Sequence, residues 1–89
     1  MPDGTLSSYG AKTVTTTAQL LVPARSSRNA VRVQNLHATN LLYIGPDSAV
    51  TAANGIRVAA GAETTIPSRG DIYGIASAAS TDVRFWEIF

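Results

Sequence analysis

The chain contains no cysteine, one histidine and one lysine. Disulfide bonds and thiolate zinc sites are therefore excluded. His37 alone does not supply a histidine cage, so we predict no metal and no cofactor. Charge is also scarce, because Asp, Glu, Lys and Arg make up 15% of the residues. The net charge of +1 gives no electrostatic basis for binding nucleic acid.

Long hydrophobic runs are absent as well. No apolar stretch reaches the roughly 18–20 residues of a membrane span. The first residues, Met1-Pro2-Asp3, do not begin a signal peptide. We therefore expect no membrane association, and a protein that is made and kept in a cytoplasm until it meets its partner.

The chain is short for a domain held by one hydrophobic core, at 89 residues. Domains of this size are usually stabilised further by disulfides, a structural metal or oligomerisation. Because the first two are not available, we predict a symmetric homo-oligomer. Six of the seven cations are arginine, the cation enriched at protein interfaces.

Short strand patterns separated by glycine and proline turns extend from Lys12 to Phe89. Val31 and Val33 alternate with polar neighbours, as a half-buried strand requires. Apolar residues nowhere repeat at helical spacing over a useful length. The sequence predicts an all-β fold, a small sandwich or barrel (jelly-roll-like) of about seven or eight short antiparallel strands.

Two details of this fold follow from the pattern. The strand patterns at 28–36 and 40–45 are close along the chain and predict a hairpin at the centre of the fold. Residues 1–10 contain turn formers without periodicity, which predicts a flexible N-terminal arm before a single β domain at 11–89. If this arm orders against a neighbouring subunit, Leu6 and Tyr9 are its candidate anchors.

Catalytic patterns are lacking. His37 is the only candidate base for a serine triad, and no Gly-x-Ser-x-Gly elbow accompanies it. A glycosidase-type pair of carboxylates stays open only if acidic residues meet in space. These residues lie at predicted turns or strand ends, where acids commonly cap or face water: Asp47, Glu63, Asp71, Asp82 and Glu87. We predict no enzyme and no catalytic residues.

Arg69-Gly70-Asp71 is the tripeptide recognised by integrins. A match this short arises often by chance. The alternative is a tight turn that leads into Ile72, with Asp71 bonding local amides. We favour the turn.

The last strand pattern places large aromatic residues on both of its faces, because the neighbours Phe85 and Trp86 point in opposite directions. We therefore expect an oligomer or partner interface at Trp86 or at Ile88-Phe89. An alternative is a carbohydrate-binding module in which Tyr43, Tyr73 or Trp86 stacks on sugars.

The strand and turn residues resemble small β-structured virion proteins of tailed bacteriophages over roughly residues 13–87. The resemblance is carried by these elements: Arg28-x-x-Val31-x-Val33-Gln34-Asn35, Leu42-Tyr43-Ile44-Gly45, Val50-Thr51, Gly55-Ile56-x-Val58-x-x-Gly61, Gly70-x-Ile72-Tyr73-Gly74-Ile75-Ala76 and Asp82-Val83-Arg84.

This resemblance implies a non-enzymatic structural protein, a capsid decoration (cement) protein that binds the outside of the head. Its partner would be the major capsid protein, whose subunits it would bridge as a homotrimer. It would lie on the capsid surface. Arg25, Arg28 and the N-terminal arm are the candidate capsid contacts, and Trp86 and Phe89 are candidate contacts of an oligomer or a partner. A head–tail or tail-fibre accessory protein is the alternative within the virion.

Overall fold

The computed structural model of the chain describes residues 7–89, with side chains from residue 10 onward. The described residues form eight strands and no helix, so none of them belongs to a helix able to cross a membrane. The strands are β1 (Ser7–Val14), β2 (Gln19–Val22), β3 (Ala30–Asn35), β4 (Leu42–Gly45), β5 (Ile56–Val58), β6 (Glu63–Ile66), β7 (Ile72–Ala76) and β8 (Thr81–Ile88).

The strands form two antiparallel sheets of four. Sheet A has the order β1-β8-β3-β6, and sheet B has the order β2-β7-β4-β5. The first strand pairs with the last, β2 with β7, β3 with β6 and β4 with β5. The chain is thus one long antiparallel hairpin, rolled up until β8 also pairs with β3 and β7 with β4. This arrangement is a jelly roll. The predicted all-β sandwich of seven or eight strands is confirmed.

The core lies between the two sheets and consists of branched aliphatic residues. Val31, Val33 and Val83 from sheet A and Leu42 and Ile44 from sheet B are all buried. Burial alternates along β3 and β4 because successive side chains point to opposite sides of a strand. One face of each sheet is therefore buried, and the other is left free to carry polar residues and a binding surface.

The predicted central hairpin is wrong, because β3 lies in sheet A and β4 lies in sheet B. The chain passes from one sheet to the other after Asn35, whose side chain is fully buried. Its Nδ2 donates hydrogen bonds to the carbonyl oxygens of Asn40, at 2.8 Å, and Val58, at 3.1 Å. These bonds fix the loop between β3 and β4 against sheet B. The two strands therefore do not pair, although they are close along the chain.

Strand β1 includes residues that the sequence assigned to the arm. It begins at Ser7 and pairs with β8 without interruption to Val14, so the backbone of residues 7–10 belongs to sheet A. Residues 1–6, and with them Leu6, lie outside the described residues. The backbone of Tyr9 pairs with Trp86, while its side chain lies outside the described part.

Gly74, in the middle of β7, allows a close approach between two strands of sheet B. Leu21 of β2 packs directly on it, and a Cβ added at residue 74 would lie 2.7 Å from Cδ1 of Leu21. Both residues are buried. Packing therefore favours glycine here, since any side chain would displace Leu21.

Candidate functional site

Arg28 is the largest fully buried side chain among the described residues. Its Nε donates to the carbonyl oxygen of Ser68 at 2.9 Å. Its Nη1 donates to the carbonyl oxygen of Pro23 at 2.9 Å, and its Nη2 to that of Gly70 at 2.6 Å. One guanidinium thus connects the loop before β3 with the loop before β7. A rigid fork of donors suits this task, since it satisfies several carbonyl groups at once.

The charge of Arg28 is balanced by Glu87 of β8, which is 1% exposed. Nη1 of Arg28 lies 2.9 Å from Oε1 of Glu87, and Nε of Arg25 lies 3.0 Å from the same oxygen. The prediction that Arg28 contacts a capsid is wrong, because the interior holds its whole side chain. The prediction that Glu87 caps a turn or faces water is wrong for the same reason.

Arg69-Gly70-Asp71 belongs to the same group of loops. Nε of Arg69 donates to the carbonyl oxygen of Arg28 at 2.8 Å. Oδ1 of Asp71 accepts the backbone N–H of Ala24 at 2.8 Å. The tripeptide therefore lies in the turn before β7 and joins two loops, as expected of a structural turn. Both of its charged side chains are thus hydrogen-bonded to other loop residues of the chain, although Arg69 and Asp71 are exposed.

Arg25 and Phe89 form a surface next to this buried pair, which we call the Arg25–Phe89 corner. The Arg25 side chain is 49% exposed, and its Cζ lies 5.9 Å from the centroid of the Phe89 ring. Ile88 is 42% exposed but lies outside the corner, because alternation along β8 turns it to the outer face of sheet A with Trp86. The structure thus brings together two of the predicted contact residues, Arg25 and Phe89. The corner combines an arginine with an aromatic ring, both residue types enriched at protein interfaces.

The two aromatic residues of β8 lie on opposite faces of sheet A. Phe85 packs against the core, whereas Trp86 is 51% exposed on the outer face. The ring of Phe85 also crosses Gly10, where a Cβ would lie 2.6 Å from its Cζ. Trp86 is therefore the aromatic residue of β8 that is available to a partner or ligand.

An open cleft of about 500 Å³ lies beside Trp86 on sheet A. Register places its polar residues together, because Trp86 pairs with Arg32, and Gln34 pairs with both Arg84 and Glu63. Nη2 of Arg32 lies 3.6 Å from Oε1 of Glu63. The residues that line the Trp86 cleft are Gly10, Arg32, Gln34, Glu63, Arg84, Phe85 and Trp86.

The three aromatic residues considered for sugar stacking do not form one platform. Tyr43 lies in β4 and Tyr73 in β7, both in sheet B, while Trp86 lies in sheet A. Both tyrosines are half-buried. Among these three residues, Trp86 is therefore the one placed to stack on a ligand at the outer face of sheet A.

His37 caps a turn. Its Nδ1 accepts the backbone N–H groups of Thr39 and Asn40, at 3.0 and 2.9 Å. In the part of the chain that the structure describes, no three His, Asp or Glu side chains come close enough to hold a metal ion. Two other carboxylates form hydrogen bonds within the protein: Asp47 accepts the N–H of Ala49 at 2.9 Å, and Asp82 accepts the hydroxyl of Thr13, on the paired strand β1, at 3.3 Å.

The sequence did not predict the Trp86 cleft or the burial of Arg28, and the reasons differ. The alternation of β3 indicates that Arg32 and Gln34 share a face, but their neighbours come from strands 29 or more positions further along the chain. The burial of Arg28 depends on carbonyl groups 40 and 42 positions away. No local pattern distinguishes such an arginine from a solvated one.

Comparisons with known proteins give a fold and no family. No family model matches the chain, and no curated protein matches it. The chain is similar to a solved structure described as "Bacillus endospore appendages form a novel family of disulfide-linked pili". The TM-score is 0.51 at 14% identity, with 93% of this chain and 85% of that chain covered. A likeness at this identity shows a shared fold alone.

Proposed function

We propose that this chain is a non-enzymatic structural protein that acts as a subunit of a repetitive protein assembly. In its specific form it is a capsid decoration (cement) protein, located on the head surface of a tailed bacteriophage. There it bridges neighbouring copies of the major capsid protein as a homotrimer. The observation that carries this proposal is the Arg25–Phe89 corner, a half-exposed cation beside an aromatic ring on a rigid base.

The base is rigid because the corner lies on the buried ion pair of Arg28 and Glu87. Glu87 receives both Arg25 and Arg28, so the guanidinium of Arg25 is held from below by a carboxylate that cannot reach water. A side chain that is already ordered loses less conformational entropy when a partner docks. Many identical modest contacts over a particle surface then act together.

The acidic residues fit a structural role. Glu87 holds two arginines, and Asp71 and Asp47 accept backbone N–H groups. Each of these carboxylates thus has a defined role in maintaining the fold. The low content of charged residues, 15%, also suits broad contacts with other proteins.

Quantitative mass spectrometry of gradient-purified particles from the source of this protein tests the role. We expect a copy number comparable with that of the major capsid protein. A few copies per particle would indicate the head–tail or tail-fibre alternative instead. Absence from particles would overturn the virion role.

A binding experiment tests the corner. Purified chain is added to particles that lack it, and sedimentation measures how much is bound. Arg25→Ala with Phe89→Ala should reduce binding strongly. The matched control is Arg57→Ala with Ile56→Ala, which removes an arginine and an exposed isoleucine from β5 of sheet B. Equal binding by both double variants would show that the corner is not the contact.

A filament subunit is the second candidate, favoured by the fold likeness to a protein described as forming pili. That protein's pili are described as disulfide-linked, whereas this chain has no cysteine. Filaments of this chain would therefore depend on non-covalent contacts alone. Electron microscopy of the concentrated pure protein tests this: filaments would support it, and discrete trimers would support the decoration role.

A further inference from the structure

We propose that the Trp86 cleft is a binding site for an oligosaccharide that carries carboxylate groups. This site is separate from the Arg25–Phe89 corner and does not depend on the structural role. The cleft volume of about 500 Å³ lies within the range of roughly 300–1,000 Å³ that is common for small-ligand sites.

Trp86 supplies the apolar surface of the site. Its side chain is 51% exposed, on the outer face of the second strand of sheet A. A pyranose ring presents C–H groups on its faces and hydroxyl groups at its rim. Its C–H face can pack on a broad indole ring while its hydroxyl groups stay free for hydrogen bonds.

The polar groups beside Trp86 are those that recognise hydroxyl groups in pairs. Arg84, Gln34 and Glu63 occupy directly paired positions on β8, β3 and β6. A guanidinium, an amide and a carboxylate are all planar, and each offers two hydrogen-bonding atoms on one edge. Neighbouring hydroxyl groups of a sugar match this spacing. These three side chains form a row across β8, β3 and β6. The row would lie along one side of a sugar ring that stacks on Trp86.

Charge selects an acidic sugar. Two arginines and one glutamate line the cleft, and Arg32 is the arginine close to Glu63, at 3.6 Å. Among residues with described side chains, no carboxylate lies within salt-bridge distance of Arg84. Arg84 can thus bind a carboxylate in bidentate fashion, which is stronger than a bond between neutral groups.

The site is suited to binding rather than cleavage. Hydrolysis of a glycosidic bond ordinarily uses two carboxyl groups about 5–9.5 Å apart. Glu63 is the one carboxylate among the described residues that line the cleft. A phosphate polymer is disfavoured too, because the whole chain carries a net charge of only +1.

Fluorescence titration tests the site directly, because Trp86 is the chain's only tryptophan. The probes are tetragalacturonate as the acidic sugar, maltotetraose as the neutral one and a thymidine oligonucleotide as a polyanion. We expect a saturable change in emission with tetragalacturonate, and binding of the other two that is at least about tenfold weaker.

Calorimetry with variants assigns the binding to the cleft. Trp86→Ala should abolish binding of tetragalacturonate, and Arg84→Ala should weaken it by about tenfold or more. Arg57→Ala is the matched control, since it removes an exposed arginine of sheet B, and its affinity should equal that of the wild type. Thermal melts of each variant establish that it is folded.

Several results would overturn the site. One is the absence of any saturable change up to about 10 mM sugar, a range that covers very weak binding. Equal affinity for maltotetraose would remove the acidic preference, and equal affinity for the oligonucleotide would indicate a general anion surface. A protein that binds tetragalacturonate but is absent from particles would keep this site while losing the proposed structural role.

Discussion

Arg28 and Glu87 form a buried ion pair, with Nη1 and Oε1 2.9 Å apart, although the two residues are separated by 59 positions. A buried pair of this kind contributes little compared with a well-packed apolar pair, but losing one member leaves a charge without compensation. In this protein, Arg28 additionally satisfies three backbone carbonyl groups. The loops before β3 and β7 and the end of β8 therefore depend on one side chain.

Arg28→Met should lower the free energy of unfolding by about 3–5 kcal/mol, because Glu87 remains buried and three carbonyl groups lose their donor. Urea denaturation measures the change. The matched control is Arg32→Met, which breaks a pair 3.6 Å long between half-exposed side chains and should cost less than about 1 kcal/mol. Similar values for the two variants would show that the Arg28 pair is not buried in solution.

Asn35→Asp should destabilise the protein by about 3 kcal/mol or more. The substitution keeps the shape of the side chain but replaces a donor, Nδ2, with an oxygen that faces the carbonyl groups of Asn40 and Val58. Asn29→Asp, at an exposed position, is the control and should change stability by less than about 0.5 kcal/mol. Thermal and urea denaturation both report the difference, and an unchanged Asn35→Asp variant would contradict the geometry of the loop between β3 and β4.

Gly74→Ala should cost about 1–3 kcal/mol, because the new methyl group overlaps with Leu21. At Gly70 an added Cβ would have its nearest contact at 3.7 Å, with the Ser68 hydroxyl oxygen. Gly70→Ala should therefore be nearly neutral. Shortening Leu21 to Val should relieve part of the cost of Gly74→Ala, which a double-mutant cycle measures as a favourable coupling. Additive effects would argue against direct contact between residues 21 and 74.

Acrylamide should quench the emission of Trp86 efficiently in the free protein, because half of its side chain is exposed. The same quenching should persist when the protein is bound to particles, since the Arg25–Phe89 corner and the Trp86 cleft are separate surfaces. Protection of Trp86 on binding would place the contact on the cleft instead. The steady-state quenching constant, measured before and after particle binding, distinguishes the two outcomes.

The fold class could be predicted from the sequence, because turn residues and alternation are local signals. The bounds of β3 (Ala30–Asn35) and β4 (Leu42–Gly45) lie within the predicted strand patterns at 28–36 and 40–45. Strand pairing was harder to predict. In a jelly roll β3 pairs with β6 and β8, so the short loop between β3 and β4 gave a misleading signal for a hairpin.

The candidate sites likewise include features with a local sequence signal and features without one. Trp86 could be identified as a candidate surface residue because it follows Phe85 in the same strand, and adjacent residues of a strand point to opposite faces. Arg25 and Arg28 have similar sequence surroundings, yet one is half-exposed and the other fully buried. What separates them is the set of carbonyl groups brought by the loop at 67–71. The partners of a buried polar group come from the tertiary fold, and local sequence does not encode them.

The nested pairing of the strands also implies an order of assembly. Contacts between distant parts of a chain form slowly, because a long loop must close before they are gained. Once β4 and β5 have paired, β3 and β6 are already near one another, and each further pair closes a much smaller loop than the sequence separation suggests. We expect the nested strand pairs to form in order from β4–β5 in the middle of the chain outwards, with β1 pairing last. β1 is then also the strand that can detach first, and its departure would uncover the ring of Phe85 beside Gly10 while the inner strands stay paired.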